Sequence, residues 1–390
     1  MKILVLLSRF PYPLEKGDKL RAYHQIKELS KKHEIILCSL TDQPVKPEWS
    51  KELEKFCSEI HTYQLKKPLI YWNTIKQTLT QKPFQIGYFY QRSIQKKINR
   101  LIEVAKPDHI YCQLIRTTEY VKNVHTIPKT VDFMDALSKG MERRSEISHG
   151  LRKWLFAIEG KRLSAYENRV FDYFNHHTII SEQDRNYINH PQKNAIAIIE
   201  NGISDDFLNY KNDTPKIYDL VFTGNMNYAP NIECAEYLVN EIFPLLLKQK
   251  PGIKLLLAGA NPNQRVKNLE NKQSIFVSGW VEDIRESYAL GKIFVAPLFI
   301  GTGLQNKLLE AMAIGLPVVT TSLANNALAA VNGESILIAK DAATFANHIF
   351  NLLDNSDLLD KIAQNGHNFV ASKFDWENSV KKLESQLLAK

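Results

Sequence analysis

One stretch constrains this chain more than any other: FVAPLFIGTGLQNKLLEAMAIGLPVVTT, from Phe294 to Thr321. Phe294–Pro297 is short and apolar, the pattern of a buried strand. Gly301-Thr302-Gly303 lets the backbone turn tightly and approach a ligand. A helix is predicted from about Leu304, with Leu308, Leu309, Met312 and Ala313 on its buried side. Gly315 ends it, Pro317 prevents continuation, and Val318–Thr321 returns as a strand. A strand–loop–helix–strand unit of this kind belongs in a parallel sheet with helical crossovers.

The chemistry of that unit lies at the start of its helix. Free N–H groups and the positive end of the helix dipole favour an anion there. Lys307 adds a full charge, and Glu310, three residues on, shares its face. A cation for a diphosphate and a carboxylate for ribose hydroxyls are what a nucleotide sugar needs. The spacing is equally that of an ordinary helix with a surface Lys–Glu pair, because the glycine loop only approaches a phosphate fingerprint.

A chain of 390 residues suits two domains. The composition is globular, 44% hydrophobic and 24% charged, and the net charge of +8 favours anionic partners without choosing among them. Cys38, Cys57, Cys112 and Cys234 are scattered and form no C-x-x-C pair, so buried thiols in a reducing compartment fit. The apolar run Ile3–Leu7 is too short for a signal-peptide core. No stretch reaches the roughly 20 apolar residues of a spanning helix. A cytoplasmic protein is expected, with a resting place on the inner face of the membrane left open.

The chain opens as β-loop-α-β: a strand at Lys2–Leu7, a loop containing Pro11, Pro13 and Gly17, a helix from about Asp18 to Lys32, and a strand at Glu34–Leu40. Ligands bind outside the carboxyl ends of such strands. Gly17, Asp18, Lys19 and Arg21 sit there, either facing a ligand or simply solvated. Residues 64–102 carry eight basic residues and no acid, interleaved with Tyr71, Trp72, Phe84, Tyr88, Phe89 and Tyr90. Such a mixture serves peripheral membrane contact, a single-strand nucleic-acid groove, or helices with aromatic cores and lysine faces. Asp135 and Ser138 follow a strand at Thr130–Phe133 and are candidates for acceptor or sugar contacts, or for a cap and turn. In the second half Gly224, Gly259 and Gly279 each end a strand, which fits close approach to a nucleotide and equally fits tight turns.

Leu309-Glu310-Ala311-Met312-Ala313, Gly315 and Pro317-Val318-Val319 resemble the signature of the retaining GT-B glycosyltransferases of family 4. The GTGLQNKLLEAMA wording is most similar to sugar transferases of bacterial exopolysaccharide clusters. Those enzymes usually carry a second glutamate before this one, and it would fall at Thr302. A variant with a glycine-rich loop and a lysine three residues before the retained glutamate fits Gly303 and Lys307. The resemblance covers nearly the whole chain and is densest over 195–325.

It implies an α/β fold of the GT-B kind, two Rossmann-like doubly wound parallel-sheet domains facing a cleft. The expected division is 1–195 for the acceptor side, 196–365 for the nucleotide sugar, and 366–390 as a helix crossing back. Donor contacts are implied at Gly17, Gly224, Asn225, Gly279, Trp280, Val281, Thr302, Gly303, Leu304, Lys307 and Glu310. For the Trp280 side chain a place in the core is the alternative. Acceptor-side residues are Asp18, Lys19, Arg21, Gln113 and Ser138, with Gln113 where many relatives have a histidine. Catalysis is assigned to Lys307, Glu310 and Asp135. The basic pair usual after the first glycine of the second domain is absent, since Asn225 and Asn231 stand there, and Lys307 carries more of the phosphate charge.

The function implied is transfer of a sugar from a nucleotide diphosphate to an acceptor hydroxyl with retention, in exopolysaccharide, capsule or other surface-glycan synthesis. Partners would be the nucleotide sugar and a glycan or lipid-linked acceptor, with membrane contact through 64–102 and no nucleic acid. Neither cofactor nor metal is expected, as no Asp-x-Asp triplet, P-loop or H-E-x-x-H motif occurs. A sugar-nucleotide epimerase of the same fold and a nucleotide-binding module without turnover remain the alternatives.

Overall fold

The computed structural model describes residues 1–14, 16–210, 215–300 and 303–389. They form two compact units, Met1–Glu200 with Trp376–Lys390, and Asn201–Asp375. The first is built on strands β1 (Lys2–Leu7), β2 (Glu34–Thr41), β3 (Glu59–Gln64), β4 (His109–Gln113), β5 (Lys129–Asp132), β6 (His176–Ile179) and β7 (Ala197–Ile198). The second is built on β8 (Tyr218–Thr223), β9 (Leu255–Ala258), β10 (Ile275–Gly279), β11 (Gly291–Ala296), β12 (Val318–Thr320) and β13 (Leu337–Ile338).

Each unit holds one parallel sheet, ordered β3-β2-β1-β4-β5-β6-β7 and β10-β9-β8-β11-β12-β13. Near-continuous apolar strands are what such a sheet requires, because helices cover both faces. In β1 the side chains alternate between two cores. Ile3, Val5 and Leu7 pack with Ala22, Ile26 and Leu29 of the helix Gly17–Leu29 and with Trp376, Val380 and Leu383 of the helix Trp376–Leu388. Leu4 and Leu6 pack with Ile94 and Ile98 of the helix Arg92–Ala105 and with Leu163 of the helix Gly150–Val170.

In each sheet the strand order reverses beside its first strand, between β1 and β4 and between β8 and β11. The carboxyl ends at these two reversals are where an open α/β sheet leaves a crevice for a ligand.

The last crossover differs from the sequence expectation of 366. Residues Ser356–Lys373 form one uninterrupted helix of the second unit, and the segment belonging to the first unit starts only at Trp376. The amphipathic pattern runs through both helices, so periodicity does not mark the break at Phe374-Asp375. At the other crossing the first unit ends at Glu200, five residues beyond the expected 195. The extra residues include Ile199, which bonds back to Ile179 of β6, N to O at 2.8 Å. No helix among the described residues is long and apolar enough to cross a membrane.

Candidate active site

The helix Asn306–Ala313 follows β11 at the reversal of the second sheet. Leu308, Leu309, Ala311, Met312 and Ala313 are buried and fix its roll. Gly303 turns the chain into it with φ of +73°, a conformation that favours glycine. Gln305 stands at the helix start in an extended conformation and makes no side-chain cap. Lys307 and Glu310 are left on the half-buried face.

Both are held by protein side chains. The Lys307 ammonium donates to Asn231 Oδ1 and lies 5.3 Å from the centre of the Phe222 ring. Asn231 in turn donates through Nδ2 to the Asn225 carbonyl at 3.0 Å. Glu310 Oε2 accepts from the Tyr288 hydroxyl at 2.6 Å, and that hydroxyl accepts from Thr223 Oγ1, also at 2.6 Å. The tip of β8 and the helices Ala229–Tyr237, Ile284–Ala289 and Asn306–Ala313 thus converge on one point.

Burial governs the electrostatics. It pulls the Lys307 pKa down to about 8, against the opposing pull of Cys234 and Glu310. It raises that of Glu310, with the Tyr288 bond and Lys307 working the other way. The Tyr288 hydroxyl is pushed far up, by burial first and then by the Glu310 charge, so it stays a donor. The other Glu310 oxygen has no hydrogen-bond partner among the described residues. A half-buried cation beside a helix N-terminus suits a phosphate, and a carboxylate with a spare oxygen suits a hydroxyl on the same ligand.

The glycine tips separate into two kinds. A Cβ on Gly259 would stand 1.9 Å from the Gly224 carbonyl oxygen, and one on Gly224 would stand 2.6 Å from Asn231 Nδ2. These two glycines let the β8 and β9 tips and Asn231 pack together. Gly279, at φ of +70°, has nothing within 4 Å of a Cβ and faces open space. Asn225 folds its side chain onto its own turn, accepting from the Asn227 N–H at 3.1 Å. Trp280 is 64% exposed, which removes a place in the core for its side chain. Val281 is half-buried, Leu304 is buried, and Thr302 lies outside the described residues.

The residues expected on the acceptor side lie near the reversal of the first sheet. Gly17 begins its helix, exposed. Asp18 accepts from Arg9 at 2.6 Å; burial raises its pKa, but Arg9 and Arg116 outweigh that and leave it below the usual carboxylate value. Lys19 reaches the Tyr12 carbonyl at 3.4 Å and lies 5.8 Å from the Trp49 ring centre. Asp135 is half-buried, three residues beyond β5.

Three of these residues turn inward. Arg21 is completely buried, bonded to Asp132 at 2.6 Å and to the Ile199 carbonyl at 2.8 Å, so a direct ligand contact is replaced by a tie between β5 and the chain after β7. Ser138 is buried and spends both its N–H and its hydroxyl on Glu167, at 3.0 and 2.5 Å. Burial lifts the Glu167 carboxyl to about 7, against those Ser138 bonds. Gln113 is buried at the end of β4, and its Nε2 finds no partner among the described residues. Thr223 and Tyr288 escaped sequence reasoning. Thr223 precedes the glycine that ends β8, which is a weak signal, while Tyr288 carries none.

Residues 218–355 match the family model described as Glycosyl transferases group 1. The match begins with β8 and lies within the second unit. The chain is 23% identical over 402 residues to an uncharacterized 44.6 kDa protein in the cps region of Klebsiella pneumoniae, covering 96% of each. It superimposes on sucrose-phosphate synthase from Thermosynechococcus elongatus with a TM-score of 0.72 at 14% identity, covering 99% of this chain and 98% of that one. It superimposes on Anabaena HepE in complex with UDP and glucose with a TM-score of 0.68 at 13% identity, covering 99% of both. The fold is GT-B, two Rossmann-like parallel-sheet domains.

Proposed function

We propose that this chain, whose residues 218–355 match the glycosyl transferases group 1 model, moves a sugar from a nucleotide diphosphate to an acceptor hydroxyl with retention, in the synthesis of a surface polysaccharide. The observation that carries the reading is the pair Lys307 and Glu310, fixed by Asn231 and Tyr288 in the first turns of the helix where the second sheet reverses. The cps-region relative and the UDP and glucose bound to HepE support it.

As the glycosidic bond breaks, negative charge grows on the departing diphosphate. Lys307, the first-turn amides and the Gly303 backbone stabilise that charge. Glu310 takes ribose hydroxyls with its spare oxygen, and the exposed Trp280-Val281 strip takes the base. The acceptor is bound by the first unit, where Asp135 lies beside its hydroxyl. Lys307 supplies the positive charge that a divalent ion supplies in other transferases, so turnover persists in EDTA.

The experiment is incubation of the full chain with radiolabelled nucleotide sugars and a bacterial lipid extract. Label appearing in an extended acceptor supports transfer. Recovery of an altered nucleotide sugar would instead mean an epimerase, and tight binding without turnover a binding module.

The acceptor side also rests on a membrane in this reading, at the cytoplasmic face. Tyr71 and Trp72, on the helix Lys67–Lys76, are 69% and 66% exposed, and Leu79 just after it is 89% exposed. Leu151 and Trp154, on the helix Gly150–Val170, are 71% and 60% exposed. The two segments adjoin, since Arg162 donates to the Gln77 carbonyl at 2.7 Å. Lys66, Lys67, Lys76, Arg152 and Lys153 are exposed among these apolar side chains. Aromatic side chains flanked by lysines fit an anionic bilayer surface. Cosedimentation with phosphatidylglycerol vesicles is expected for the wild type and lost in Trp72→Ala/Trp154→Ala; equal binding by the double variant would sink the membrane reading.

A further inference from the structure

The carboxyl edge of the first sheet holds a charged cluster that donor binding does not use. β1, β4 and β5 end side by side, with Leu7 opposite Gln113 and Gln113 opposite Asp132. Arg9 lies two residues past β1, Arg116 three past β4, and Asp135 three past β5. The helix Leu137–Ile147 brings Arg144 within electrostatic reach of Arg116. With Lys16, which acts on Asp18, the cluster among the described residues has four cations against the two carboxylates Asp18 and Asp135.

Arg116 is the unusual member. Its Nε donates to Gln85 Oε1 at 2.9 Å, and its guanidinium lies 5.4 Å from the Phe89 ring centre. Its two terminal nitrogens have no hydrogen-bond partner among the described residues. Arg21, one turn into the first helix, shows what a structural arginine looks like here: it is bonded directly to the Asp132 carboxylate. Among the described residues Arg116 is bonded to no such carboxylate. Burial and the charge of Arg9 pull its pKa down to about 10, against the opposing pull of Asp18 and Asp135.

The backbone leading to Arg116 is strained. Leu114 has φ of 63° and ψ of 143°, a region that glycine occupies and leucine avoids. This one residue turns the chain from β4 into the 3₁₀ helix Ile115–Tyr120 that carries Arg116. In the preceding residue the buried Gln113 Nε2 is a second donor without a partner among the described residues. Three independent features therefore gather at one strand end: an arginine with free donors, an orphaned amide and a strained turn. The buried amide is unfavourable while it lacks an acceptor, and the terminal nitrogens of the half-buried Arg116 are open to an anion with oxygen acceptors.

We propose that this cluster is the acceptor subsite, and that the acceptor carries an anionic group, a carboxylate or a phosphate, held by the terminal nitrogens of Arg116 together with Arg9. The inference rests on the transferase reading above and names the acceptor's chemical class. A sugar acid or a sugar phosphate presents the group in the same way, as two oxygens to a planar guanidinium.

The test uses the full chain saturated with UDP, so that the donor site is filled, titrated by calorimetry with glucuronic acid, glucose 1-phosphate and glucose. At least one of the two anions is expected to bind at least about tenfold more tightly than glucose. Glucuronate alone binding assigns a carboxylate acceptor, and glucose 1-phosphate alone a phosphate. Arg116→Gln should remove the preference and Arg116→Lys restore part of it, with UDP affinity in each variant as the check on folding. Equal affinity for glucose and both anions, or an unchanged preference in a folded Arg116→Gln, overturns the anionic acceptor. UDP binding that depends on Lys307 would survive that result, so this inference and the transferase reading can fail separately.

Discussion

Lys307 is a cation in surroundings that resist its charge, with a pKa pulled to about 8 from 10.5. Because the folded value is depressed, the unfolded chain holds the extra proton between those pH values, and stability rises with pH across that window. A bound diphosphate acts oppositely and restores the proton. UDP binding near pH 8.5 should therefore take up a proton, and affinity should fall as pH climbs further. Calorimetry in two buffers of different ionisation enthalpy measures this, and proton-neutral binding would contradict the placement of Lys307. Tyr288→Phe removes the hydroxyl that links Thr223 to Glu310, so about 1–2 kcal/mol of stability should be lost in urea titrations. That Lys307 and Glu310 share a helix face was legible because they stand three residues apart. Their partners were not, since Asn231 lies 76 residues from Lys307 in sequence and Tyr288 lies 22 from Glu310. Arg21 was misread for a related reason. A charge beside Gly17 looks ligand-facing until Asp132, 111 residues on, claims it.

Among elements, the apolar strands β1, β2, β8, β11 and β12 could be read directly, because burial on both faces leaves little choice of residue. The edge strand β3, EIHTYQ, is mostly polar and half-exposed, and its sequence carries no comparable run. The helix Gly17–Leu29 was found, but the polar part of its inward face was not. Arg21, His24 and Gln25 are buried beside Ala22, Ile26 and Leu29, and polar side chains hide such a stripe from a hydrophobic pattern. Gln25 is there to accept from Tyr111 at 2.8 Å, which also bonds Asp132. Contact between the β8 and β9 tips yields a sharper prediction. With the Gly224 oxygen 1.9 Å from a Cβ on residue 259, Gly259→Ala must displace one tip. It should lower stability by more than about 2 kcal/mol and weaken UDP binding through Asn231. Wild-type melting in that variant would show that the tips are not packed as described.

At the scale of the whole molecule, the chain leaves the first unit at Glu200 and returns to it at Trp376. Inside the second unit the two ends of that excursion run together, Ile203 N–H to Phe374 O at 2.8 Å. Back in the first unit, Trp376 is buried and stacks on His24 with ring centres 4.7 Å apart. Trp376→Ala should cost the first unit about 3–5 kcal/mol, read as an earlier urea transition for that unit alone. A shift shared equally by both units would argue against it. The first unit should also be sensitive to acid. Burial depresses His24, His109 and His177 to about 4 from 6.5, so each is neutral in the fold and takes a proton when the chain unfolds. Stability should therefore fall as pH drops from 6.5 to 4, visible as a lower urea midpoint at pH 5 than at pH 7. The central claim, that the diphosphate of a sugar donor leaves against Lys307, is tested most directly by the initial rate of label transfer from a nucleotide sugar in wild type and Lys307→Ala. The account predicts a fall of about 100-fold or more in a variant that still unfolds at the wild-type temperature. Transfer at the wild-type rate would contradict it.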